Sequence, residues 1–207
     1  MNESNKLIVS LTSPYARKVR IAALENKINF EMIVDVPWNE DTGVIKLNPL
    51  GKVPVMITKD GASLYDSRVI AEYIDSIGDA QFLPIDFKER IKVKQIEALA
   101  DGIMDASLCI FAERKKRPLD LQYQWWVDRQ FGKIHRGLEE LSLMLGENDY
   151  FYGHKISLAD VAVASALGYV GLRFSDDFSW AKKYPNLERF YSLVMKRPSF
   201  QTTVPVI

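Results

Sequence analysis

The pattern of apolar and polar positions changes character once along the chain, near residue 84. Before that point short apolar runs alternate with helical stretches. Leu7 to Ser10 reads as a buried strand that breaks at Thr12-Ser13-Pro14. Pro14 suits the first position of a helix and Ser13 the cap before it, while Val19, Ala22 and Ala23 supply an apolar stripe able to pack on a sheet. Phe30 to Val34 predicts a second strand, followed by a loop from Asp35 to Pro49 with room for a short helix over Thr42 to Lys46. Val55 to Thr58 and Ala62 to Tyr65 predict a β-hairpin, because the Asp60-Gly61 pair between them tolerates the backbone such turns require. Ser67 to Ile77 then sets Val69, Ile70, Tyr73, Ile74 and Ile77 at helical spacing, with Asp66 or Ser67 as cap. The order is β-α-β-(α)-β-β-α.

After Phe82-Leu83-Pro84 no alternating segment follows, so the chain is expected to divide into a mixed α/β domain, residues 1–84, and an all-helical one, residues 85–207. Arg90 to Lys116 carries Ile96, Leu99, Ile103, Ala106 and Ile110 on one face, and Asp120 to Leu145 carries Ile134, Leu138, Leu141 and Leu145. Both predict amphipathic helices. Ser157-Leu-Ala-Asp160 has the cap-then-acid spacing of a helix start, with Asp in place of the usual Glu or Gln. The run behind it, Asp160 to Val170, is apolar on nearly every side and is expected at the centre of the second domain. Asn186 to Lys196 predicts a closing helix before Pro198.

Charge and composition remove several classes of function. The 27 basic and 27 acidic residues cancel and are interspersed, so no block is set to steer a phosphate backbone and no nucleic-acid partner is expected. No stretch reaches the roughly 18 apolar residues of a spanning helix, and the opening MNESNKLIVSLTSPYARK has no secretory pattern. The expectation is a cytoplasmic protein with no membrane partner. One cysteine, Cys109, and two histidines, His135 and His154, give no metal-ligand spacing, so no metal is expected. Cys109 reads as a buried thiol, His135 as solvated, and Arg17, Lys18 and Arg20 as a mostly exposed helix face, with Arg17 alternatively turned towards the pocket. Tyr123, Trp125, Trp126 and Phe131 read as packing residues.

Four segments carry candidate chemistry: Thr12-Ser13-Pro14-Tyr15, Trp38, Gly51-Lys52-Val53-Pro54 and Tyr65-Asp66-Ser67. SPYARKVRIAALENKI, LNPLGKVPV, LYDSRVIAEYI and ISLADVAVASAL resemble, in order and spacing, the cytosolic glutathione S-transferases. The likeness is to bacterial members with a Ser-Pro-aromatic active-site segment. It implies a thioredoxin-like N-terminal domain that binds glutathione, an all-α C-terminal helical bundle that completes an electrophile pocket, and a homodimer. The expected reaction is conjugation or reduction of small electrophiles by glutathione as co-substrate, a detoxification chemistry. A non-catalytic interaction module or a glutathione-dependent reductase are the alternatives. Ser13-Pro14-Tyr15-Ala16 also resembles the Cys-Pro-Tyr-Cys of glutaredoxins with both sulfurs removed, which argues against exchange through a protein cysteine.

A thiol of pKa about 8.5 is only a few per cent ionised at neutral pH, so catalysis requires a group that favours the thiolate. A serine hydroxyl at a helix start can donate a hydrogen bond to sulfur and adds the helix dipole. Ser13 is the first candidate and Thr12 the reserve; capping alone is the plainer role for Ser13. The resemblance implies a cis Val53-Pro54 turn whose Val53 backbone pairs with glutathione, whereas a trans proline at a strand edge is the ordinary alternative. It sets Ser67 against the γ-glutamyl carboxylate, Asp66 against the ammonium group, and Lys52 against the glycyl carboxylate. Many members of the family carry Glu where this chain has the shorter Asp66. Trp38 either lines the thiol pocket or covers the core, and Met104, Cys109, Ile110 and Tyr169 are candidate walls for the electrophile.

Overall fold

The computed structural model describes residues 4–205, and its internal contacts divide the chain into two units. The described residues up to Pro84 form the first unit together with those from Arg197 onward, and Ile85–Lys196 form the second.

In the first unit β1 (Asn5–Val9) lies between β2 (Phe30–Val34), which runs parallel to it, and β3 (Val55–Ile57), which runs antiparallel; β4 (Ser63–Leu64) pairs antiparallel with β3. The register sets Ile8 opposite Ile33 and Val55, and Leu7 opposite Met32 and Met56. Alternation along each strand therefore sorts the sheet into two faces. Ile8 and Val55 cluster with Val44, which stands on a 3-10 turn at Val44–Lys46, and with Ile33, Leu47, Val53 and Ile57. Leu7, Val9 and Met56 are buried on the other face, as are Val19, Ala22 and Ala23 of α1 (Pro14–Glu25) and Ile70 and Ile74 of α2 (Ser67–Ile77). Helix α1 packs on α2, and α2 on β3.

The stretch after Arg197, including the one-turn helix α8 (Pro198–Gln201), was expected with the helical half and instead groups with the first unit. Three polar ties to α1 account for it. Arg17 Nη2 donates to the Phe200 carbonyl at 3.3 Å, Arg20 Nη2 to the Thr202 carbonyl at 3.3 Å, and Arg197 forms a bidentate pair with Glu25 at 2.9 and 2.6 Å. Arg17 and Lys18 are accordingly buried, not on an exposed helix face.

The second unit is built on α3 (Phe87–Lys116), a 30-residue helix about 45 Å long, which packs along α4 (Gln124–Leu145) and α5 (Leu158–Phe174). A side chain at Gly137 of α4 would come within 2.7 Å of Ile103, so glycine there permits the close approach of α3 and α4. Helix α5 is buried on all sides from Leu158 to Leu167, as its sequence predicts. Helix α4 begins four residues later than expected, because Pro118 breaks the chain and Leu119–Leu121 forms a separate 3-10 turn. Buried Glu113 accepts the Tyr123 N–H at 2.8 Å and fixes that turn. Helices α6 (Trp180–Lys183) and α7 (Pro185–Val194) complete the unit, with α7 packed on α4 and α5.

Candidate active site

The strand directions decide which loops meet. Ile8 near the end of β1 faces Val55 at the start of β3, Met56 faces Leu64 at the end of β4, and Val9 faces Val34 at the end of β2. The loops that leave β1, β2 and β4 and the one that enters β3 therefore all emerge at one end of the sheet. These loops carry Thr12-Ser13, Trp38, Asp66-Ser67 and Lys52-Val53-Pro54, so the topology gathers all four candidate segments.

Ser13 is the N-cap of α1, in extended backbone with Pro14 at the first helical position. Its Oγ accepts the Ala16 N–H at 3.2 Å, which satisfies one of the donors a helix start leaves open. Among the described residues no acceptor takes the proton of this hydroxyl. Thr12 Oγ1 lies 3.3 Å from Ser10 Oγ, an exchange between two hydroxyls that Ser13 does not share. Both residues are half-buried.

The Val53–Pro54 peptide is cis, as is Tyr65–Asp66. The loop before Pro54 is braced by a residue that pattern alone does not single out. Asn48, 2% exposed, donates through Nδ2 to the Lys52 carbonyl at 2.9 Å, and its Oδ1 accepts the Leu50 N–H at 3.0 Å. Gly51 takes φ +61 in that loop, the left-handed region that glycine enters without penalty. A second brace is Asp35 beyond β2, whose carboxylate accepts from Thr42 Oγ1 at 2.7 Å and from the Gly43 N–H at 3.0 Å. Short polar side chains that fold their own loops are the only signal either residue offered.

Asp66, not Ser67, caps α2, accepting the Arg68 N–H at 3.0 Å. Ser67 is 2% exposed at the first position of that helix, whereas Asp66 and Lys52 are exposed. Trp38 is 51% exposed. A concavity of about 660 Å³ opens at the opposite end of the sheet, among Asn5, Lys27, Lys59 and Tyr73, and contains none of the candidate residues.

In the second unit Met104 and Ile110 are fully buried and Tyr169 nearly so, which makes them core residues and not walls open to a ligand. Cys109 is half-buried where a buried residue was expected, on a groove of about 460 Å³ with Ala112, Pro118, Leu121 and Trp126, and burial raises its thiol pKa. His135 is not solvated as expected. Its ring lies 4.6 Å from Phe178 and 6.3 Å from Phe131, and burial followed by the charge of Lys183 lowers its pKa. Asp160 closes a reciprocal cap at the start of α5, accepting from the Ser157 N–H at 2.7 Å, the Ser157 hydroxyl at 2.6 Å and the Phe151 N–H at 2.8 Å. Burial raises its pKa to about 6 despite these donors. Among the described residues no group of three His, Cys, Asp or Glu side chains could hold a metal ion, and no helix is long and apolar enough to cross a membrane.

This combination of a four-stranded sheet with two capped helix starts at one end and a separate helical unit matches known proteins throughout. Residues 12–77 match the model of the glutathione S-transferase N-terminal domain, and residues 125–192 that of the C-terminal domain. The chain is 41% identical over 201 residues, 97% of its length and 98% of the relative's, to the uncharacterized GST-like protein YibF of Escherichia coli. A crystal structure of a glutathione S-transferase from Methylobacillus flagellatus with glutathione bound is 43% identical, with a TM-score of 0.94 over 98% of this chain and 100% of that one. Another, from Methylobacterium radiotolerans in complex with glutathione sulfonate, is 37% identical, with a TM-score of 0.93 over 98% and 95%. The chain belongs to the glutathione S-transferase family.

Proposed function

We propose that the protein is a glutathione transferase in which Ser13 donates a hydrogen bond to the sulfur of glutathione and holds it as thiolate for attack on a small electrophile. The observation that carries this reading is the Ser13 hydroxyl itself. It spends its lone pair on the Ala16 N–H and keeps a proton to donate, at the sheet end where the other candidate segments emerge. A hydrogen bond to a charged group contributes about 1.5–3 kcal/mol, and one pKa unit is about 1.36 kcal/mol. Together with the α1 dipole, this lowers a thiol pKa by about one to two units from its ordinary value of about 8.5. The serine does not react. It stabilises the nucleophile, and the electrophile takes the sulfur lone pair and releases its leaving group.

The remaining contacts follow from the chemistry of glutathione. Val53, ahead of the cis bond, offers backbone N–H and C=O for strand-like pairing with the cysteinyl residue. Ser67 at the start of α2 faces the γ-glutamyl carboxylate, and exposed Asp66 and Lys52 meet the ammonium group and the glycyl carboxylate. Half-exposed Trp38 lines the approach to the sulfur. The glutathione bound in one similar crystal structure and the glutathione sulfonate bound in the other support the choice of co-substrate. The family resemblance and the exposed Leu50 and Val69 of the first unit support a homodimer, which concentration-dependent sedimentation checks.

The test is titration of thiolate absorbance with glutathione bound. An apparent thiol pKa between about 6.5 and 7.5 in the wild type, returning towards 8.5 in Ser13→Ala, supports the reading. Failure of calorimetry to detect glutathione binding, or an unshifted thiol in the wild type, rejects it in favour of the non-catalytic module.

A further inference from the structure

The aromatic residues read from the sequence as packing groups are largely at the surface. Around the turn between α3 and α4, Leu119 is 84% exposed, Leu121 60%, Tyr123 61%, Trp125 56% and Trp126 36%. Scattered apolar residues are normal on a protein surface, but five large ones within eight residues form a patch. The patch is set among cations. From Glu113 to Arg136 the chain has seven basic residues (Arg114, Lys115, Lys116, Arg117, Arg129, Lys133, Arg136) and three acidic ones (Glu113, Asp120, Asp128), a net charge of +4 in a chain whose total is zero. Lys115, Lys116, Arg117, Arg129 and Lys133 are exposed.

We propose that this turn is a docking surface for an anionic lipid bilayer. Leu119 and Leu121 stand on a one-turn 3-10 element in the connection from α3 to α4. They supply aliphatic surface for the acyl boundary. Tyr123 and Trp125 stack at 5.7 Å behind them, with the Arg129 guanidinium 5.7 Å over Trp125 and the Lys133 ammonium 5.8 Å over Trp126. Tyrosine and tryptophan settle at headgroup depth, and the surrounding cations are attracted by anionic lipid at about fivefold in affinity per residue. A spanning helix is not required for such a peripheral contact.

Other occupants fit less well. In a symmetric contact with a second copy the exposed cations Lys115, Lys116, Arg129 and Lys133 would meet their own kind, so like charges oppose it. Single-stranded nucleic acid would use the rings as stacking platforms, yet the most exposed members, Leu119 and Leu121, offer a base nothing, and one side of Trp125 is already taken by Arg129.

The experiment is co-sedimentation of the full chain with vesicles of phosphatidylcholine alone and of phosphatidylcholine with phosphatidylglycerol, at low salt and at 0.5 M salt. Binding at least tenfold tighter to the anionic vesicles and lost in high salt is expected. The double change Lys115→Gln with Lys116→Gln should weaken it by more than tenfold, and Leu119→Ser with Leu121→Ser should abolish it. All four positions are exposed, so the fold is retained and circular dichroism verifies it. Equal binding to both vesicle types, none to either, or binding indifferent to both double variants overturns the proposal. So does a single-stranded oligonucleotide that binds this surface when the anionic vesicles do not.

Discussion

Ser13 and Ser157 each open a long helix, and the comparison separates a cap that only holds structure from one suited to chemistry. At Ser157 the hydroxyl donates to the Asp160 carboxylate at 2.6 Å, the whole box is buried, and Asp160 in turn holds the Phe151 N–H. Every group there is spoken for. At Ser13 the oxygen accepts one N–H at 3.2 Å, no carboxylate among the described residues takes its proton, and the residue is half-buried at the end of the sheet where loops converge. The same residue type at the same helical position is thus held in two ways, which differ in what its hydrogen meets.

The strongest way to break the comparison is at Asp160. Asp160→Asn sets an amide against three donors in a buried site and should cost about 3–5 kcal/mol in chemical denaturation, with no effect on the thiol pKa of bound glutathione. A linked pH effect follows from the carboxyl pKa, raised to about 6 from its ordinary value of 3.8. Between those values the folded protein holds a proton that the unfolded chain has released, so this group's contribution to stability falls as pH rises from about 4 to 6 and is level above. The window should vanish in Asp160→Asn. Next in size, Ser13→Ala should lower turnover at pH 7 by about tenfold or more through the thiol pKa, while unfolding shows only the ~1 kcal/mol loss of a cap. Ser67→Ala should weaken glutathione binding by about tenfold in calorimetry and leave the thiol pKa in place. Smallest, Thr12→Ala should change turnover less than about threefold, since a one-unit pKa effect is already tenfold. A larger loss than that of Ser13→Ala would transfer the role to Thr12.

The sequence made the local elements legible where signals were dense. Strand β2 and helix α2 fall on the expected residues, and the Ser13-Pro14 start of α1 was readable because a cap and a first-turn proline coincide. Four-residue helices such as α6 and α8 are too short to show a period. Burial of charged side chains was not legible. Arg17 and Lys18 look like a solvated face until partners more than 180 residues away, such as Phe200, come to α1. The reverse error concerns Tyr123, Trp125 and Trp126, where hydrophobicity suggested an interior that the turn after Pro118 denies them. At the candidate site the segments that touch the ligand by family likeness were visible, while Asn48 and Asp35, which only fold their own loops, resembled any other loop residues.

The return of the chain from Arg197 to helix α1 has a consequence for how the molecule is made. During synthesis the ribosome releases the sheet and its first two helices early, but Glu25 receives Arg197 only after more than 170 further residues have been added. The helical unit is contiguous from Ile85 to Lys196, whereas the first unit takes its last segment from beyond it. The first unit is thus closed by a pair whose members lie 172 residues apart, so its completion waits on the whole of the stretch between them.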